Sequence, residues 1–161
     1  MNVIFESENI SYAEVSESLI PDYLALLNDH ERVGRFISAS TKTYTVENEV
    51  EWVRKKLAEK EQVFSMLEKA GGAFIGNIEL MDIQSGEAML GIAITAAQQD
   101  RGFGSESVAA LLRYGFETLG LRRIRLKARP FNARALRVYE KCGFREYDRT
   151  EEDVFMEVFK E

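Results

Sequence analysis

Gln98-Gln99-Asp100-Arg101-Gly102-Phe103-Gly104-Ser105 is the stretch that decides the fold of this chain. It joins an apolar run, Met89 to Thr95, to an amphipathic segment that starts at Ser105 and ends at Gly120. This order indicates a strand, a glycine-rich turn and the N-terminus of a helix. Glycine permits positive φ and lets a ligand approach without meeting a Cβ. The first helical turn then offers unpaired N–H groups and the positive end of the helix dipole. The sequence therefore predicts a concave anion site, most often for a phosphate, with Arg101 as an additional mobile cation.

Two common phosphate-binding signatures are excluded by the residues that follow this loop. Ser107 occupies the third glycine position of a dinucleotide fingerprint, and Leu121-Arg122-Arg123 stands where the fingerprint needs a carboxylate. A Walker A loop is excluded because no Gly-Lys-Ser/Thr sequence follows. For this stretch alone, a tight strand-to-helix turn without a ligand remains an alternative.

Composition and charge are those of an ordinary globular protein. The 161 residues, 45% of them hydrophobic, predict one domain over 1–161. A net charge of −6 argues against broad nucleic-acid binding, and no apolar run approaches the ~20 residues of a membrane span. The N-terminus lacks the basic region of a signal peptide, and Cys142 is the single cysteine, so a cytoplasmic location is expected. His30 is the single histidine, which argues against a histidine-based metal site, and no metal is expected.

Periodicity and turn residues predict an α+β chain. Apolar spacing predicts helices at 18–30, with a loop at 33–43, and at 45–60, where Thr45 is a suitable N-cap. Further helices are predicted at 105–119 and 132–142. Strands are predicted at 10–15, 62–67, 73–83, 89–95, 123–128, 144–149 and 153–159. Because the middle strands form hairpins, we expect a sheet that is not doubly wound.

A second motif, Asn132-Ala-Arg-Ala-Leu136-Arg-Val-Tyr139-Glu-Lys-Cys-Gly143-Phe144, follows thirty residues after the loop. Asn132, Leu136 and Tyr139 stand at i, i+4 and i+7, so they share one face of a short helix. Structural roles account for two of them without a ligand: Asn132 is an excellent N-cap, and Tyr139 is a suitable core aromatic. Both readings stay open at this point.

The two motifs together resemble the GNAT superfamily of N-acetyltransferases. The pattern Gln99-x-x-Gly102-x-Gly104 opens one helix, and Asn132, Tyr139 and Gly143-Phe144 follow in the expected order, so that the resemblance covers about residues 73 to 145. Ile75-Gly76-x-Ile-Glu-Leu80 and the helix start at Ser105 look most like the branch of ribosomal-protein alanine and spermidine N-acetyltransferases. One departure is Thr95-Ala96, where a proline often follows the strand.

The resemblance implies a fold, a cosubstrate and a set of site residues. The fold would be a mixed, mostly antiparallel central sheet of about seven strands flanked by four helices. Acetyl-CoA would be the cosubstrate, and the acceptor an amine on a protein N-terminus, a polyamine or a small molecule. Tyr139 would act as the general acid, since a phenol with a pKa of about 10 keeps its proton at neutral pH. The residues carried over for binding the cosubstrate are Ile92, Ala93, Ile94, Gln99, Asp100, Arg101, Gly102, Phe103, Gly104, Ser105 and Asn132.

Several questions stay open at the level of sequence. The candidates for the general base are Glu79, Asp82, Glu87 or water; residues 79 and 82 have opposite parity in a strand, and Glu79 is favoured. Glu106, early in the loop's helix, fits a structural role at the positive end of the dipole. A catalytically silent acyl-CoA-binding regulator is the alternative function. The chain is expected to be a monomer or a homodimer.

Overall fold

One eight-stranded mixed sheet forms the centre of the protein. The computed structural model describes residues 1–37 and 42–161. Within these residues the strands are β1 (Val3–Glu6), β2 (Ile10–Glu14), β3 (Gln62–Glu68), β4 (Phe74–Gln84), β5 (Glu87–Ile94), β6 (Arg123–Ala128), β7 (Arg145–Arg149) and β8 (Val154–Phe159). Their order across the sheet is β1-β2-β3-β4-β5-β6-β8-β7, and every neighbouring pair except β5 and β6 is antiparallel. The α+β class and the mostly antiparallel sheet are therefore confirmed, with β1 as one strand more than the sequence predicts.

The described ranges contain α1 (Ile20–Leu27), α2 (Arg35–Ile37), α3 (Val46–Ala58), α4 (Phe103–Arg113) and α5 (Ala133–Lys141). Thr45 caps α3 as expected, through a reciprocal pair of hydrogen bonds with Asn48. The loop predicted at 33–43 is wrong in its first part, because a π-helical turn, His30–Gly34, runs directly into α2. Apolar spacing gave no signal for these short turns; residues 38–41 of the predicted loop lie outside the described residues.

The helices cover the sheet from both sides. On one face, α4 and α5 pack on a core that includes Ile78, Leu90 and Ile124. On the other face, α1 and α3 enclose a smaller core around Tyr23, Val53 and Val63. Because successive side chains of a strand alternate between faces, β3 and β4 contribute to both cores, with Phe64 and Ile78 in the larger one and Val63 and Phe74 in the smaller one.

The sheet opens between β5 and β6, the one parallel pair among the strands of the described residues. β5 and β6 pair at Glu87 with Arg123, Ala88 with Ile124 and Met89 with Arg125, and the pairing ends there. From Leu90 to Ile94, β5 is paired only with β4. The two strands thus diverge and leave a wedge-shaped opening between them. The predicted binding of a ligand to the β5 backbone requires such an opening. A segment whose N–H and C=O groups lack a neighbour on one side needs another partner.

Glu106 anchors the N-terminus of α4 to the first hairpin. Its carboxylate accepts hydrogen bonds from the Asn9 backbone N–H and the Asn9 side-chain amide, both at 2.8 Å, and from the Ser7 hydroxyl. Burial raises the pKa of Glu106, but these hydrogen bonds outweigh that effect and lower the pKa below its ordinary value. The structural role expected of Glu106 is therefore present in the fold.

We expect Glu106→Gln to lower the free energy of unfolding by about 1–2 kcal/mol, because an amide nitrogen would face hydrogen-bond donors that need an acceptor. A lowered pKa in the folded state stabilises the protein above the ordinary carboxyl pKa, and this contribution disappears as the pH falls through the lowered value. Urea denaturation at several pH values measures both effects. Glu117→Gln is the matched control: Glu117 is exposed in the π-helical turn Tyr114–Thr118, which directly follows α4. Equal effects of the two substitutions at neutral pH would contradict the anchor.

Candidate active site

A cavity of about 390 Å³ lies at the wedge between β5 and β6. This volume is in the range of small-molecule sites. Its walls come from β5, from the loop before α4, from α5 and from the segment after α1. The lining residues are Arg32, Val33, Phe36, Ile92, Ala93, Ile94, Gln98, Gln99, Asp100, Gly102, Gly104, Ser105, Val108, Asn132, Arg134, Ala135, Val138 and Tyr139. The lining includes Tyr139 and nine of the residues that the sequence predicts to bind the cosubstrate. The other two predicted residues, Arg101 and Phe103, are not part of this lining.

The loop presents an uncapped helix terminus to the cavity. Gly102 is the N-cap of α4 with φ 84°, and no side chain caps the helix there. A Cβ added at Gly102 would meet no heavy atom within 4 Å, so the space above the loop is open. The N–H groups of the first turn therefore face a region that an anionic ligand can occupy.

The charged side chains of the loop are paired with protein groups. Arg134 on α5 holds both carboxylate oxygens of Asp100 at 2.8 Å and donates to the Gln99 side chain at 3.0 Å. Arg101 forms an ion pair with Glu68 at 3.0 Å and hydrogen bonds to Gln98. The mobile cation expected at Arg101 is therefore engaged elsewhere, and Arg134 and Arg32 are the cations found in the cavity lining. Sequence reasoning missed Arg134 because its partners precede it by about 35 residues.

Asn132 has the capping role that its position predicts. Its side-chain oxygen accepts from the Ala135 backbone N–H at 3.3 Å at the start of α5. The side chain also lines the cavity. Within the described ranges its amide nitrogen has no protein partner. Capping therefore uses the oxygen and leaves a donor for a ligand.

Tyr139 combines burial with access to the cavity. The residue is 8% exposed, packs edge-on against Phe144 and still lines the cavity. Burial raises the pKa of its phenol to about 12, and the neighbouring Cys142 contributes to the increase. Tyr139 therefore keeps its proton throughout the neutral and moderately alkaline range.

Of the three carboxylates considered as the general base, Glu79 has the most suitable position. It pairs with Gly91 at the open part of β5, where a Cβ on Gly91 would lie 3.3 Å from the Glu79 Cγ and 3.6 Å from its Oε1. Glu79 shares the sheet face of Val63, opposite the α4 side. Burial raises its pKa; Lys56 opposes the increase, and Glu61 and Asp82 add to it.

The other two carboxylates are less suitable. Glu87 is bound to Arg122 and Arg123, each at 3.0 Å, at the closed end of the wedge. Asp82 is exposed with φ 52°, at the bulge between Met81 and Gln84. The regular alternation used to assign Asp82 a face therefore does not extend to that position.

The described residues were also compared with the requirements of a metal site and of a membrane-spanning helix. In residues 1–37 and 42–161, no group of three or more His, Cys, Asp or Glu side chains is placed to hold a metal ion. No helix of that part of the chain has the length and apolar character needed to cross a bilayer.

Gly76 brings β4 against the strand that lines the cavity. A Cβ at this position would lie 2.0 Å from the carbonyl oxygen of Ala93, a backbone atom. Gly104, on the opposite side of the cavity, has ordinary contacts instead, with Ile94 at 3.7 Å and Val138 at 3.9 Å from an added Cβ. Glycine is therefore required at position 76 by a close approach of two strands.

Comparisons with known proteins agree with this geometry. The family model described as "Acetyltransferase (GNAT) domain" matches residues 12–145. The uncharacterized N-acetyltransferase p20 of Bacillus licheniformis is 31% identical over 83 residues, which are 50% of this chain and 47% of p20. The spermidine N(1)-acetyltransferase of Vibrio cholerae is 32% identical over 93 residues, 56% of this chain and 54% of that protein. The matches thus span about half the length of these curated relatives.

A solved structure extends the similarity to nearly the whole fold. The spermidine N-acetyltransferase of Vibrio cholerae, in complex with CoA and spermine, superposes with a TM-score of 0.85. The match covers 94% of this chain and 95% of that one at 20% sequence identity. At this identity the likeness concerns the fold.

The same substitution at two glycines tests the geometry of the cavity walls. We expect Gly76→Ala to lower the free energy of unfolding by about 2–3 kcal/mol, because the methyl group displaces the β5 backbone. Gly104→Ala has space and a helical backbone, so we expect it to leave the stability unchanged or raise it by ~0.5 kcal/mol. Urea denaturation of both variants measures the difference. Similar stabilities of the two variants would contradict the close approach at Gly76.

Proposed function

Because this chain belongs to the GNAT acetyltransferase family, we propose that it is an acetyl-CoA-dependent N-acetyltransferase that transfers the acetyl group directly to a primary amine. One observation carries the proposal: the uncapped terminus of α4 and the Tyr139 phenol line the same cavity at the wedge. The helix terminus suits a diphosphate, and the phenol suits a leaving thiolate. Acetyl-CoA carries its diphosphate and its thioester toward opposite ends, so one bound molecule would use both groups.

The residues present fit acetyl-CoA. The loop 99–105 would hold the diphosphate through backbone N–H groups, including those of Arg101 and Phe103. The unpaired edge of Ile92, Ala93 and Ile94 would bind the amides of the pantetheine arm on one side, and the amide nitrogen of Asn132 on the other. Arg134 neutralises Asp100, so that the one carboxylate lining the cavity does not repel the anion. Acetyl-CoA supplies the acetyl group as an activated thioester.

Protein groups would manage the two protons of the transfer. The amine must be neutral to attack, and Glu79 would take its proton, directly or through water, because a raised carboxyl pKa makes a stronger base. The new N–C bond forms as the C–S bond breaks, and Tyr139 would donate its proton to the departing sulfur. Tyr139 would then regain a proton from solvent and Glu79 would release one to it, so that the cycle closes without a net change in the enzyme.

We expect Tyr139→Phe to reduce kcat by about 10²–10⁴-fold, the range typical of losing one general acid. The affinity for CoA, measured by calorimetry, should stay unchanged because the ring remains. Turnover is followed by thiol release from acetyl-CoA with an amine panel. Phe116→Leu, a substitution away from the cavity lining, is the control for general damage to the core. An unchanged kcat in Tyr139→Phe would remove Tyr139 as the acid.

The pH profile distinguishes Glu79 from water as the base. A base acts only when deprotonated, so activity should fall as the pH decreases through the raised pKa of Glu79. We expect Glu79→Gln to lower kcat/KM by about 10²-fold and to remove that acidic limb of the profile. The profile is recorded with an acceptor amine of low pKa, so that ionisation of the acceptor does not mask the limb. An acidic limb that persists in Glu79→Gln would identify another group.

A further inference from the structure

A chain of buried hydrogen bonds ends at Asn77, one strand away from the cavity. The Ser16 backbone N–H donates to the Tyr23 hydroxyl at 3.1 Å. The Tyr23 hydroxyl lies 2.6 Å from the Ser65 hydroxyl, which in turn donates to the Asn77 side-chain oxygen at 2.9 Å. Tyr23 and Ser65 are both fully buried. None of these four residues belongs to the machinery described above.

The direction of this chain fixes which end of the Asn77 amide faces outward. A buried hydroxyl must use its proton, and the backbone N–H of Ser16 can only donate. Tyr23 therefore accepts from Ser16 and donates to Ser65, and Ser65 has its own proton left for Asn77. If the amide were reversed, its nitrogen would donate to Ser65, Ser65 would donate to Tyr23, and the Tyr23 proton would have no acceptor. The hydrogen-bond requirement thus places the Asn77 oxygen toward Ser65 and leaves the NH₂ group as a donor.

Asn77 lies on the face of the sheet that also carries Glu79. It pairs with Ser65 on one side and with Ala93, a residue of the cavity wall, on the other. Asn77 and Glu79 are two positions apart along β4, which corresponds to about 7 Å in an extended strand. Its amide nitrogen has no partner among the residues that the structure describes, and the side chain is half-buried. A fixed donor therefore stands beside the proposed base at the open part of β5.

We propose that the Asn77 amide binds a carbonyl oxygen of the acceptor, and that the acceptor is consequently an aminoacyl compound, such as a protein N-terminus, in preference to a polyamine. This inference rests on the proposed transferase function and specifies its substrate class. An aminoacyl group carries a carbonyl next to the reacting amine, which complements an N–H donor held near the base. A protonated polyamine offers hydrogen-bond donors and no acceptor. Opposite the fixed amide donor of Asn77, neither the ammonium group nor the amide would therefore find a partner.

The test compares three acceptors in the same thiol-release assay: alaninamide, 2-aminobutane, in which an ethyl group replaces the carboxamide, and spermidine. Asn77→Asp keeps an oxygen for Ser65 and removes the donor, so the buried chain stays intact. We expect this variant to raise KM for alaninamide about tenfold, the value of one lost hydrogen bond, with a much smaller change in kcat. KM for 2-aminobutane should not rise, and KM for spermidine should fall further because a carboxylate also attracts its additional ammonium groups. For each acceptor, the KM of the variant is divided by the KM of the parent protein, so that the different pKa values of the amines cancel.

Controls separate the possible failures. Asn77→Leu removes the donor without adding charge and should reproduce the loss with alaninamide alone, while Asn2→Asp adds the same charge at an exposed site and should change none of the three acceptors. Equal changes of KM for alaninamide and 2-aminobutane, or none, would overturn the role of Asn77 while leaving the transferase function intact. A parent protein that acetylates none of the three, yet binds CoA, would overturn the proposed function and the inference with it.

Discussion

The divergence of two parallel strands is the constraint on which the rest of the structure depends. β5 and β6 share three residue pairs and then separate, so that the half of β5 from Leu90 to Ile94 has backbone groups without a neighbour on that side. Buried backbone groups need partners, and a ligand with amides along its length can supply them. On its other side, β5 is held by β4, which at Gly76 approaches the Ala93 carbonyl more closely than any side chain permits.

The wedge also separates the chemical tasks between the two faces of the sheet. Ile92 and Ile94 pack toward α4 and α5, where the uncapped helix terminus and Tyr139 line the cavity. Asn77 and Glu79 lie on the other face, beside Ala93 and Gly91. A thioester placed in the wedge would be reached by a proton donor from one face and by an amine with its base from the other. Alternation along two paired strands is sufficient to produce this arrangement.

Part of the candidate site could be predicted from the sequence because it depends on residues that are close together in the chain. The glycines at 102 and 104, the N-cap at Asn132 and the spacing to Tyr139 are each encoded within a dozen residues, and all of them line the cavity. The rest depends on pairings between distant segments. The strand β1 is mostly exposed, so its pattern is weak, but stacking of Phe5 on Tyr12 and Tyr114 holds it in place. The partners of Arg134 and Asn77 could not be read from the sequence, because the first contact depends on the packing of α5 against the loop and the second on the register of β3 and β4.

Most of the charged groups around the wedge are already neutralised, and this determines what the cavity can attract. Asp100 is held by Arg134, Arg101 by Glu68, and Glu87 by two arginines. Arg32, which also lines the cavity, is paired with Asp29. Among the other polar groups of the cavity wall are three dipoles: the N-terminus of α4, the amide of Asn132 and the protonated phenol of Tyr139. Fixed dipoles in these positions would attract an anion at the loop and would stabilise charge on a leaving sulfur, without the desolvation cost that an unpaired ion would carry. On the opposite face, burial raises the pKa of Glu79, so that its carboxylate, where it is deprotonated, would accept a proton from an amine more readily than an exposed carboxylate.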